Sequence, residues 1–177
     1  MIECDSKIEA HLQNFESKSI NTNTPPKNKG DKKRKNQLNF DLNQEIYQIT
    51  GVDLSKVAGF DGNIIMRIIS ETGTELTAWP TVKHFTSWLC LCPGNKITGG
   101  KILSTKTNSS SNRAAHTFRL AANGLHNSKS AIGAFLRRKK AQLGAPKAIT
   151  ATAHKLARIF YSLLTKKSEF KDQGSQY

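Results

Sequence analysis

The chain has 177 residues, enough for one ordinary domain with an appendage and short for two full domains. Its net charge of +14 makes nucleic acid the leading partner, with an anionic membrane surface as the rival. No apolar run approaches the roughly 20 residues that span a bilayer, and Met1 to Asp5 lacks the parts of a secretory signal, so a cytoplasmic, nucleoid-associated setting with no membrane partner is expected.

Ile2, Ile8, Leu12 and Phe15 recur at near-helical spacing with charges between them. They predict a separate N-terminal helix over residues 1–18, the end of a coiled-coil-like segment. Residues 19–39 are polar, contain Pro25 and Pro26, and carry the cluster Lys32, Lys33, Arg34 and Lys35. Such a stretch cannot bury enough apolar surface to offset its ordering entropy, so a disordered basic linker is expected. Its cluster reads as a solvated tether or as a phosphate-contacting arm.

Residues 40–167 have the pattern of a mainly α domain, a small helical bundle. Asp41 can cap a helix through Tyr47 that buries Leu42, Ile46 and Ile49, with Gly51 as its stop. Ile64, Ile65, Ile68 and Ile69 predict a second helix over residues 63–71, closed by Gly73. Two helices around a glycine-bearing turn form a helix-hairpin-helix-like segment, in which amides at the second helix's start can face a phosphate. An ordinary helical hairpin gives the same pattern, and Asp61 puts a negative charge where the anion would sit.

Trp79 and Pro80 turn the chain, and Thr81 can cap a helix over residues 82–91 with Val82, Phe85, Trp88 and Leu89 on one face. Trp79 and Trp88 are expected in the core rather than as base-stacking platforms. Cys4, Cys90 and Cys92 are an odd set without a C-x-x-C spacing, which predicts reduced, structural thiols. Pro93 and Gly94 end the helix, and Ile97, Ile102 and Leu103 around Gly99 and Gly100 predict a short hairpin or extended loop.

Ser109, Ser110 and Ser111 can cap a helix over residues 112–125. Ser128 or Ser130 starts another through Leu143, carrying Arg137, Arg138, Lys139 and Lys140, and Gly144 to Pro146 breaks it. Residues 148–164 form the last helix, with Ile149, Ala153, Leu156, Ile159, Phe160 and Leu163 on one side. His154 on it reads as a packed or surface residue ahead of a catalytic acid or base. Residues 168–177 predict a flexible tail.

The charge is unevenly placed: eleven of the thirteen acids precede Leu76, and Leu76 to Ser168 holds sixteen Lys and Arg and no Asp or Glu. Cations without carboxylates attract a polyanion and offer no hard-oxygen ligands to a metal, so no metal site is expected here. Within that span, Thr98 sets a hydroxyl beside Gly99 and Gly100, where backbone can approach a phosphate, with Lys101 next to them. The candidate DNA-binding set is Lys96, Gly99, Gly100, Lys101, Lys106, Asn112, Arg113 and Arg119, and Thr98 is the candidate catalytic hydroxyl.

Several stretches keep one order along the chain: Thr50 to Leu54, Trp79 to Phe85, Leu91 to Lys96, Gly99 to Lys101, Asn112 to Ala115, Arg119 to Ala122 and Leu143 to Arg158. In these, residues 40–165 resemble the C-terminal domain of bacterial insertion-sequence transposases of the IS-one-ten group, relatives of the Piv pilin-gene DNA invertase. The resemblance implies a two-part enzyme. An N-terminal RuvC-like domain holds Mg²⁺ on four acids, and the C-terminal domain supplies a serine that attacks DNA, with a structured guide RNA as partner.

The family serine precedes the two glycines, and Thr98 stands there, its extra methyl crowding in-line attack. Asp41, Asp53, Asp61 and Glu71 match no part of the RuvC-like domain and read as cap and surface acids. Cys90 and Ser110 stand where a glycine is usual in similar sequences. The expectation is a truncated remnant that binds DNA, needs no cofactor of its own and does not recombine DNA by itself. The alternatives are a non-catalytic nucleic-acid-binding module and an assembly partner that self-associates or pairs with full-length transposase through the N-terminal helix.

Overall fold

Polar side chains just ahead of each apolar run set where the helices begin. The computed structural model describes residues 2–16, 38 and 40–174; apart from residue 38, the proposed linker and its Lys32 to Lys35 cluster lie outside the described residues. Helix α1 spans Ile2–Gln13. The Asp41 carboxylate accepts hydrogen bonds from the amides of Asn43 and Gln44 and opens α2 (Leu42–Thr50), which ends at Gly51. Asp53 caps a single 3₁₀ turn, Leu54–Lys56, and Asp61 caps α3 (Gly62–Thr72).

Thr81 caps α4 (Val82–Trp88), Asn112 caps α5 (Arg113–Asn123), and Ser130 caps α6 (Ala131–Leu143). Gly144 separates α6 from α7 (Ala145–Lys166), whose Pro146 sits in the first turn, where a missing N–H breaks no helical bond. Between α4 and α5, β1 (Lys96–Thr98) and β2 (Lys101–Ser104) pair antiparallel. The chain is mainly helical, as its periodicity predicts.

Helix α7 organises the packing by lying against α4, α5 and α6, while α5 also reaches α3. Phe85 of α4, Phe118 of α5 and Phe160 of α7 are fully buried, and their ring centroids lie 5.7 to 6.4 Å apart. Cutting any one of them to alanine should cost about 3–5 kcal/mol, because the neighbouring helices cannot close the gap. The Tyr161 hydroxyl donates to the Trp79 carbonyl at 2.7 Å and fixes the loop before α4 onto α7.

Several boundaries differ from the sequence expectation for identifiable reasons. Helix α1 ends at Gln13 and does not stand apart: it touches α2, and Leu12 is buried. Asn112 caps α5 in place of the preceding serines: its Oδ1 accepts from the Ala115 amide at 3.1 Å. Ser110 shows no left-handed strain and accepts a hydrogen bond from the Asn112 amide through Oγ.

Helix α4 stops at Trp88, and Cys90 takes a left-handed φ of 52°, the strain expected of a side chain at a glycine-like turn. Trp88 is 39% exposed instead of lying in the core, although the rings of Trp79 and Phe85 lie 4.7 and 6.2 Å from it. The tail makes contacts: Phe170 packs against the core and Asp172 accepts from the Ala131 amide at 3.1 Å.

Candidate nucleic-acid interface

The hairpin turn is formed by Gly99 and Gly100 at φ 55° and 75°. Two successive left-handed residues give a turn whose twist matches that of paired strands, and only glycine adopts both positions without strain. A Cβ at either would meet no atom within 4 Å, so the requirement is one of conformation and the backbone face stays open to a ligand. Ile97 is paired with Ile102 and Thr98 with Lys101, with an irregular step between Lys96 and Ile97. Cross-strand partners share a face, so the isoleucines lie on one side and Thr98 and Lys101 on the other.

The base of the hairpin is held by a bridge between Pro93 and Thr107 and by the Gly94 amide donating to the Lys106 carbonyl at 3.1 Å. A Cβ on Gly94 would come within 3.0 Å of that same oxygen, which explains a glycine there. Lys96, Thr98, Lys101 and Lys106 are all exposed. None of these three lysines has an ion-pair partner among the described residues.

The other sequence-nominated residues sit in a different setting. Arg113, at the start of α5, pairs through Nε with Glu71 Oε1 of α3 at 2.8 Å, so its charge is already met. Asn112 uses its side-chain oxygen as the α5 cap and is partly buried, and Arg119 is partly buried further along the helix. The nominated set therefore divides into an exposed hairpin group and a structural group at α5. At the start of α3, Asp61 Oδ1 accepts from the Ile64 amide at 2.8 Å, which puts a carboxylate where the helix-hairpin-helix reading would seat a phosphate.

The carboxylates do not fit the Mg²⁺ that the resemblance implies. Asp41 and Asp61 are helix caps, Asp53 accepts from Ser55, and Glu71 pairs with Arg113. Among the described residues no group of three or more His, Cys, Asp or Glu is gathered as a metal would require.

A second cationic feature went unread in the sequence. A cleft of about 830 Å³ opens beside α7, lined among others by Phe135, His154, Lys155, Arg158, Tyr161 and Lys166. Lys155 Nζ lies 4.5 Å from the centre of the Phe135 ring. Burial, and then the Arg158 guanidinium, hold the His154 imidazole below its usual pKa, so it is neutral at pH 7. The available signal was the one-face helical spacing of Lys155, Arg158, Ser162 and Lys166.

No curated protein and no solved structure matches the chain. Residues 53–132, from the 3₁₀ turn through the hairpin to the start of α6, match the family model described as Transposase IS116/IS110/IS902 family, a match that supports a likeness to the C-terminal region of IS110-group transposases.

Proposed function

We propose that this region binds DNA through the β1–β2 hairpin, as part of a transposition machinery that moves an insertion sequence by recombination. The observation that carries the reading is the exposed Thr98 hydroxyl at a paired-glycine turn, with Lys96, Lys101 and Lys106 near it along the chain and no carboxylate partner for any of the three among the described residues. Phosphate is the anion that such a surface meets best: open amides and ammonium groups can approach its oxygens together. Thr98 takes the position of the attacking hydroxyl, and its methyl group, with no fitting metal-ligand set among the described residues, supports the reading that the chain is inactive by itself in strand exchange. Its partners are DNA and a structured guide RNA, with catalytic acids supplied from elsewhere in the machinery.

A titration of duplex binding against salt tests the DNA reading. Six or more phosphate contacts give a log–log slope steeper than about −5. A flat slope contradicts it and favours the second reading, assembly with another transposase chain through α1, whose Ile8 is exposed, as is Phe15 just beyond its end. Strand exchange by the purified chain with Mg²⁺, donor, target and guide RNA would overturn the assignment of inactivity.

A further inference from the structure

Ile97, Ile102 and Leu103 are 61%, 59% and 69% exposed on a hairpin of two short strands. Aliphatic groups held in water are unfavourable, and a two-stranded ribbon has no second layer to cover them. The sequence around them would serve turn and pairing equally well with threonines. Ile97 and Ile102 are cross-strand partners and share one face, while Leu103 alternates to the other.

Charge selects the occupant. Lys96 and Lys101 adjoin the isoleucines along the two strands, Lys106 follows just after β2, and the chain carries a net charge of +14. A second copy would bring the same cations against themselves, whereas a nucleic-acid duplex offers phosphates at the edges and an apolar base stack within. We infer that Ile97 and Ile102 form an apolar wedge that enters a DNA duplex from the minor groove and partly unstacks one base step, with Lys96, Lys101 and Lys106 on the flanking phosphates.

The inference rests on the DNA-binding reading of the same hairpin and adds to it what meets the bases. Strand alternation then separates two tasks: the isoleucine face contacts the bases, and the face of Thr98 and Lys101 contacts backbone. Because pyrimidine–purine steps unstack most easily, the wedge favours TA and CA steps without a hydrogen bond to any base edge.

The test uses the full chain and duplexes carrying 2-aminopurine at a central TA step, whose fluorescence rises when the base unstacks. The wild type should raise the signal at saturation. The double variant Ile97→Thr and Ile102→Thr, which keeps β-branched strand residues, should leave it flat and bind the TA duplex about tenfold more weakly, with an unchanged salt slope. A saturated wild-type complex with unchanged fluorescence, or a double variant that keeps the rise, overturns the wedge while leaving backbone binding intact. A wild type that binds no duplex at any salt removes both readings. Self-association of the wild type that the double variant abolishes, without a fluorescence change, assigns the face to a second copy and overturns the wedge. So does variant-sensitive binding to phosphatidylserine vesicles without that change.

Discussion

Lys101 at the hairpin turn and Arg113 at the start of α5 lie in the same acid-free stretch of sequence, yet their surroundings in space are opposite. Lys101 is exposed without a carboxylate partner among the described residues, while Arg113 holds Glu71 at 2.8 Å. The difference comes from packing: α3 lies against α5 and carries into the cationic region an acid that belongs to the acidic half of the chain. An absence of acids along a sequence therefore does not make a surface free of them, and a cation projecting from a two-stranded hairpin is harder to neutralise than one at a helix end packed beside an acid-bearing helix.

The largest expected effect breaks the hairpin side of this contrast. Replacing Lys96, Lys101 and Lys106 together by Gln should weaken duplex binding by about tenfold or more at ~0.1 M salt and make the salt slope shallower by roughly 3, read by fluorescence anisotropy. Thermal stability should not change, since all three side chains are exposed.

Asn112→Ala should do the opposite. Loss of the α5 cap should lower stability by about 1 kcal/mol in a denaturant titration, while the folded protein binds DNA as before. Glu71→Gln should change stability by no more than about 0.5 kcal/mol, because the Arg113 side chain is 83% exposed and solvent screens the pair. Freed of its partner, Arg113 should then raise duplex affinity by roughly twofold, a gain that sharpens the contrast by turning a structural cation into a phosphate contact.

The smallest effect lies at the acidic end of the molecule. Burial first, then the charges of Glu9 and Asp41, raise the pKa of Glu45 above its usual value. The folded state therefore binds this proton more tightly than the unfolded chain, and stability falls as pH rises from the ordinary carboxylate pKa through the raised one. Glu45→Gln should flatten that slope in melts taken between acid and neutral pH and leave DNA binding alone.

Local chemistry was legible wherever a signal and its consequence lie within one turn. Asp41, Asp61, Thr81 and Ser130 could be read as caps because each acts on an amide two or three residues on, and the paired glycines declared their hairpin in the same way. Long-range partners left no such trace. The Glu71–Arg113 pair, the two carbonyls of His126 and Ser128 that accept from Arg137, and the seat of Lys155 on Phe135 all join separate elements. Trp88 misled for a related reason: its helical spacing points it inward, but it is the last residue of the short α4 and stays 39% exposed beside Trp79 and Phe85.

Amide hydrogen exchange with and without a saturating duplex puts the central contrast to its most direct test. DNA held by the hairpin should slow exchange across Lys96–Ser104 and leave the first turn of α5, from Arg113, as it was. Protection confined to α5, with the hairpin exchanging at its free rate, would contradict the account.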